Sequence, residues 1–245
     1  MAFSLSSENP SAILLDIEGT TTPIAFVYDE LFPFARARVR DYLEHHCGEP
    51  DVTEALARLR REHQEDEALD LRPPALTDKS KGDRLDSLVA YVYWLMDRDR
   101  KSTGLKALQG CIWWRGYLDG ELRSKVFSDV PRAFARWREA GYRISIFSSG
   151  SKLAQELLFR YTESGDLTRF IDSYFDTTIG PKSAPKSYQL IAAALGLEPA
   201  AILFISDTVT ELEAARRARM RTWLCVRPGN HPQPSDHEHH VITSF

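Results

Sequence analysis

Several residues along the chain share one placement: each comes directly after a short apolar run. Asp16 and Glu18 follow Ala12–Leu15 in SAILLDIEGTTTPI, and Ser148, Ser149 and Gly150 follow the run that ends in YRISIFSS. Asp207 closes AILFISD, with Glu211 four residues on, and Lys182 and Lys186 lie in FDTTIGPKSAPKSY. Carboxylates at the end of a buried strand are costly unless something there uses them. Asp16 and Asp207, from different strands, can hold Mg²⁺, a hard cation that takes one or two carboxylates, phosphate oxygens and waters. A carboxylate beside such a cation can attack phosphorus and form an acyl phosphate. A Ser-Ser-Gly turn before a helix offers hydroxyl and N–H donors to phosphate oxygens. A lysine neutralises phosphate charge, and Glu18 is placed to protonate a leaving oxygen and then take a proton from water.

These groups meet only if the elements before them line up. Ser11–Asp16, Tyr142–Ser149, Ala201–Asp207 and Thr222–Val226 read as near-continuous apolar strands, and FDTTIG closes a further short one. SKLAQELLFRY, KSYQLIAAALGL and TELEAARRARM carry helical spacing between them. That alternation predicts an α/β fold, a doubly wound Rossmann-like parallel sheet covered on both faces. Ligands of such sheets bind beyond the carboxyl ends of the strands, which gathers the groups above on one edge. More than a hundred residues separate the first strand from the second, far more than one crossover needs. YDELFPFARARVRDYLEHH, DVTEALARLRREHQED and RLDSLVAYVYWLMDRDR make that stretch helical. The expectation is an α/β core of 1–19 and 126–245 with an inserted, mostly helical cap subdomain at 20–125. YVYWL, ambiguous as a short apolar run, is read as helix from its length and charged flanks.

Composition narrows the class. The chain has 245 residues and a formal net charge of -4 with both signs mixed, which favours neither nucleic acid nor an anionic membrane as partner. Cys47, Cys111 and Cys225 are scattered and form no CxxC pair, against a disulfide framework or a structural zinc site. MAFSLSSENP lacks a basic, apolar leader pattern, and no apolar run approaches the roughly 18 residues of a membrane span. These features predict a cytoplasmic globular protein.

Other motifs have ordinary readings. Arg36, Arg38 and Arg40, and Arg216, Arg217, Arg219 and Arg221, lack interleaved aromatics and read as exposed helix faces. His231, His237, His239 and His240 stand among Pro, Ser and Asp and read as a solvated loop rather than a metal tract. Trp113, Trp114 and Arg115 are candidates for a substrate pocket or for core, and Lys101 and Lys106 read as solvated. No G-x-x-x-x-G-K-[ST] occurs, which excludes a P-loop kinase.

The ordered set D-x-E, S, K, D resembles the haloacid-dehalogenase-like phosphohydrolases. DIEGT is similar to their first motif and IFSSG to the second. KSAPKSY is similar to the lysine segment, with Lys182 as the motif lysine, Pro185 and Tyr188 in register, and Ser183 where proline is common. SDTVTE resembles the fourth motif, with Ser206 and Glu211 departing from its familiar G-D-x-x-x-D form. DIEGTTTPI, DRKSTGLKALQG, GYLDGEL, FSSGS, FDTTIG, VRPGN and VITSF further resemble the enolase-phosphatase family of methionine salvage over nearly the whole chain. That resemblance implies a monomeric, Mg²⁺-dependent enzyme for a phosphorylated diketone. The substrate would be 2,3-diketo-5-methylthiopentyl-1-phosphate, enolised and then dephosphorylated to the acireductone. It further implies Asp16 as nucleophile and Glu18 as acid and base. Mg²⁺ would sit on Asp16, the Glu18 main-chain oxygen and Asp207, and Ser148, Ser149 and Lys182 would contact substrate. A capped phosphatase for another small ester shares the core motifs and is the rival reading.

Overall fold

The structure, a computed structural model, describes residues 10–245. The leader reading of MAFSLSSENP therefore falls almost entirely outside the described residues. In chain order the elements are β1 (Ala12–Leu15), α1 (Phe32–His46), α2 (Pro50–Ala68), α3 (Lys81–Asp97), α4 (Thr103–Leu118) and α5 (Val130–Glu139). β2 (Arg143–Phe147), α6 (Lys152–Arg160), β3 (Ser173–Phe175), α7 (Pro185–Leu195), β4 (Ile202–Ser206), α8 (Val209–Arg217), β5 (Arg221–Cys225) and β6 (His240–Ile242) follow.

The chain divides into two units, one formed by the stretch ending at Val27 with Arg123–Phe245, the other by Tyr28–Leu122. The sequence expectation began the insert at 20, but residues 20–27 fold with the α/β unit. The N–H groups of Thr20, Thr21 and Thr22 all donate to Ile17 O, at 3.2, 3.0 and 2.9 Å, and Phe127 N donates to Thr21 O at 3.0 Å.

In the α/β unit six parallel strands run in the order β3-β2-β1-β4-β5-β6. β1 pairs with β2 and β4 at once, and Asp16 N extends that ladder to Ile205 O at 3.0 Å. Successive β1 residues are all buried, as both faces of a parallel sheet require. Ala12, Leu14, Phe204 and Leu224 share a core cluster with Tyr188, Ile191 and Leu195 of α7 and Leu212 and Ala215 of α8. α7 opens with Pro185 in its first turn and ends on Gly196 in the left-handed conformation, an ordinary start and stop for a helix. β6 was not foreseen: three residues after a polar tract carry little strand signal, and pairing with β5 is what makes them a strand. His239 beside it is buried against Thr222 Oγ1 (2.8 Å) and Glu213 Oε1 (3.1 Å), so the C-terminal histidines are not uniformly a solvated loop.

The helical unit is four helices, with α2 against α4 and α1 against both α3 and α4. YVYWL lies inside α3, where Tyr91, Val92, Trp94 and Leu95 are buried. α4 gave no clear amphipathic signal because Gly104, Gly110 and Gly116 interrupt a sequence apolar on most sides. A Cβ on Gly104 would stand 2.7 Å from Leu59 N, so the glycine is what lets α4 approach α2. Trp113 is core here, donating from Nε1 to Leu31 O at 2.8 Å, while Trp114 is 41% exposed. Arg36 and Arg38 pair with Asp97 and Glu121, each at 2.8 Å, as helix-surface ion pairs. The three cysteines are unpaired, and among the described residues no helix is long and apolar enough to cross a membrane.

Candidate active site

The chain turns sharply after β1. Gly19 N donates to Thr22 O at 2.8 Å, and Thr21 Oγ1 donates to Asp16 O and Ile17 O at 3.2 and 3.3 Å. Gly19 has φ +69°, and a Cβ there would lie 2.3 Å from Asp207 Oδ2. Glycine is thus required both for the left-handed backbone and for the approach of the β4 carboxylate. The first and fourth motifs are brought together at the neighbouring carboxyl ends of β1 and β4, at the point where the strand order reverses.

Lys182 ties these ends to the α7 side. Its Nζ donates to Asp16 Oδ1 at 2.6 Å and lies 2.6 Å from Glu211 Oε2. Burial opposes the ammonium, but Asp16 and then Glu211 outweigh it and raise its pKa above the ordinary lysine range. Tyr188 OH donates to Lys182 O at 2.8 Å, which fixes the lysine backbone from inside the core. Lys186 is exposed. Glu211 also accepts from Ser206 Oγ at 3.1 Å, so this acid holds the lysine and the strand end.

Asp16 and Asp207 are only 5% and 6% exposed. Burial, and then the charge of Asp16, push the Asp207 carboxyl up to about 6 despite a hydrogen bond from Thr208 Oγ1 at 3.0 Å. Burial and Asp16 likewise push Glu211 up to about 7 against the pull of Lys182. Three carboxylates thus face a single lysine. Such an excess of buried negative charge, in hard oxygen donors, fits a divalent cation. Asn230 Oδ1, buried without a donor, stands 2.9 Å from the same Gly19 Cβ position. Among the described residues no three side chains of His, Cys, Asp or Glu cluster as metal ligands. The carboxylate oxygens present, with no thiolate or imidazole among them, are donors of the kind that suit Mg²⁺.

Ser148 is buried at the end of β2, and its Oγ accepts from Gly150 N at 3.2 Å, leaving its hydroxyl hydrogen to donate. Ser149 is exposed. The cap of α6 is Ser151, whose Oγ accepts from Ala154 N at 3.3 Å, so the two preceding serines are not the helix cap. Glu18 is half-buried and its backbone bridges to Thr22. Sequence reasoning missed Gln155, which is buried and donates from Nε2 to Gly150 O and Phe175 O, both at 2.8 Å, pinning the serine loop to β3. Its only sequence signal is a polar residue on the apolar face of α6.

The sequence pattern of the haloacid dehalogenase-like hydrolases matches residues 10–219. Enolase-phosphatase E1 of Synechococcus elongatus is 50% identical over 90% of this chain and 90% of that protein. Enolase-phosphatase E1 of Sorangium cellulosum is 47% identical over 96% and 95%. The crystal structure of the UTR4 protein of Saccharomyces cerevisiae superposes with a TM-score of 0.78 at 32% identity, covering 97% of this chain and 99% of that one.

Proposed function

The chain belongs to the haloacid dehalogenase-like hydrolases and, within them, to the enolase-phosphatase E1 family; on that premise we propose that it enolises and dephosphorylates 2,3-diketo-5-methylthiopentyl-1-phosphate in methionine salvage. The observation that carries the reading at the level of residues is Asp16, buried at a strand end beside Lys182 and Asp207. Asp16 and Asp207 by their carboxylates, and Glu18 by its main-chain oxygen, are the groups that would hold Mg²⁺. When bound, the cation supplies positive charge to phosphate and enolate oxygens.

Glu18 takes a proton from the carbon bearing the phosphate ester, and the electron pair moves onto the adjacent carbonyl oxygen. An Asp16 oxygen then attacks phosphorus, and the bond to the ester oxygen breaks as Glu18 returns a proton to that oxygen. Water attacks the aspartyl-phosphate, Glu18 accepts its proton, and phosphate leaves with Asp16 restored; that proton then passes from Glu18 to the enolate oxygen, which gives the neutral acireductone and returns Glu18 to its starting state. Lys182 holds the Asp16 carboxylate in line and offsets phosphate charge, while Ser148 and Ser149 donate to the phosphate oxygens. The protein acts as a monomer in the cytoplasm, where its three unpaired cysteines remain reduced.

Single-turnover mixing with the diketone phosphate, following enolate absorbance and phosphate release together, tests this. Enolate absorbance should rise before phosphate appears, and EDTA should stop phosphate release. Phosphate release with no enolate phase would assign the chain to simple ester hydrolysis. In Glu18→Gln both phases should be lost, whereas enolisation at the wild-type rate would remove Glu18 from the first step.

A further inference from the structure

The loop after β5 reads Arg227-Pro228-Gly229-Asn230. Asn230 N donates to Arg227 O at 3.2 Å, proline takes the second position and Gly229 the third with φ +88°. This is a type II turn, for which Pro and Gly at those places are suited. The turn aims the side chains of its first and last residues at one piece of backbone. Arg227 Nε donates to Thr20 O at 3.3 Å, and Asn230 Nδ2 donates to Gly19 O at 3.0 Å and to Cys225 O at 3.2 Å.

Gly19 is thereby pinned through both of its peptide planes. Its N–H, bonded to Thr22 O, shares a rigid trans peptide with the Glu18 carbonyl, which must point the opposite way. Its own carbonyl is held by Asn230. Between these planes the Gly19 α-carbon faces Asp207 Oδ2 and Asn230 Oδ1. A shift of this one residue would move the Glu18 carbonyl relative to both carboxylates.

We propose that Asn230 is a positioning residue for the cation site, orienting the Glu18 main-chain oxygen by clamping the next peptide to the end of β5. The inference rests on the ligand set given under Proposed function. A residue that only completes the 227–230 turn would affect stability alone. A positioning residue would affect cation affinity out of proportion to stability.

Calorimetric titration of Mg²⁺ into the substrate-free full-length protein separates these, with thermal melting of the metal-free protein as control. Asn230→Ala and the milder Asn230→Ser should raise the Mg²⁺ dissociation constant about tenfold or more, the size of effect usual for residues that orient metal ligands. Their metal-free melting temperatures should fall by only about 2–8 °C, as for one or two lost hydrogen bonds. Unchanged Mg²⁺ affinity in either folded variant overturns the inference and leaves the ligand set standing. Wild-type protein that takes up no Mg²⁺ overturns both.

Discussion

Arg227 and Lys182, both largely buried in the α/β unit, hold carboxylates in opposite balances of charge. Arg227 faces one acid, Asp129, and grips both of its oxygens from Nη1 at 3.0 and 2.9 Å. The guanidinium is stacked between the rings of Phe127 and Phe245, at 4.6 and 4.7 Å, and Phe245 N donates to the same carboxylate at 2.6 Å. Lys182 instead contacts Asp16 and Glu211, with Asp207 buried close by. The first cluster sets one cation against one acid side chain and ties Phe245 to them. The second carries two negative charges beyond what its lysine balances when its acids are ionised. A completed cluster of charge is structural, whereas an incomplete one is built to receive a ligand that completes it.

The sharpest break of this contrast is at Asp16. Asp16→Asn keeps the shape but removes the attacking oxygen's charge, and phosphate release should fall by about a thousandfold or more. Residual turnover near wild type would mean that another group attacks phosphorus. On the other side, Arg227→Met takes the buried guanidinium away from the partly exposed Asp129, and urea unfolding should show a loss of about 2–3 kcal/mol. A change below about 1 kcal/mol would place this pair with ordinary surface ion pairs.

A third test asks whether the excess charge is a ligand site. With Mg²⁺ at about 100 times its dissociation constant, the wild-type protein should gain about 2.7 kcal/mol of stability. Asp207→Asn should lose that gain while being at least as stable as the wild type without metal, because one repelling carboxylate is gone. An undiminished Mg²⁺ response in Asp207→Asn would remove this residue from the ligand set.

The smallest effect belongs to His239, outside both clusters. Burial lowers its pKa, Glu213 opposes that, and His237 and Arg216 add to the lowering. A histidine lowered in the folded state is neutral there, so its stability contribution is complete above the ordinary value of about 6.5. That contribution is lost as pH falls from there through the folded value. Melting between pH 7 and pH 5 should therefore fall less steeply in His239→Gln than in the wild type, and equal slopes would exclude His239 as the source.

Local sequence determined more of the core than of its closure. Apolar runs that end in Asp16, Ser148 and Asp207 were legible because a parallel sheet gathers the ends of such runs on one edge, whatever the strand order. The resemblance of KSAPKSY to a known motif singled out Lys182 over Lys186, and the structure has Lys182 on Asp16 and Lys186 at the surface. The glycines of α4 and the polar approach to β6 hid those elements, since each is made stable by its neighbours rather than by its own pattern. The order β3-β2-β1-β4-β5-β6, the pairing of Glu211 with Lys182 and the reach of Arg227 and Asn230 to Thr20 and Gly19 were decided by tertiary structure. Periodicity and turn chemistry act over a few residues, so they can say that Arg-Pro-Gly-Asn turns and that Asp16 ends a strand. That these two places touch follows only from strand pairing across the whole chain, which sets β5 two strands from β1.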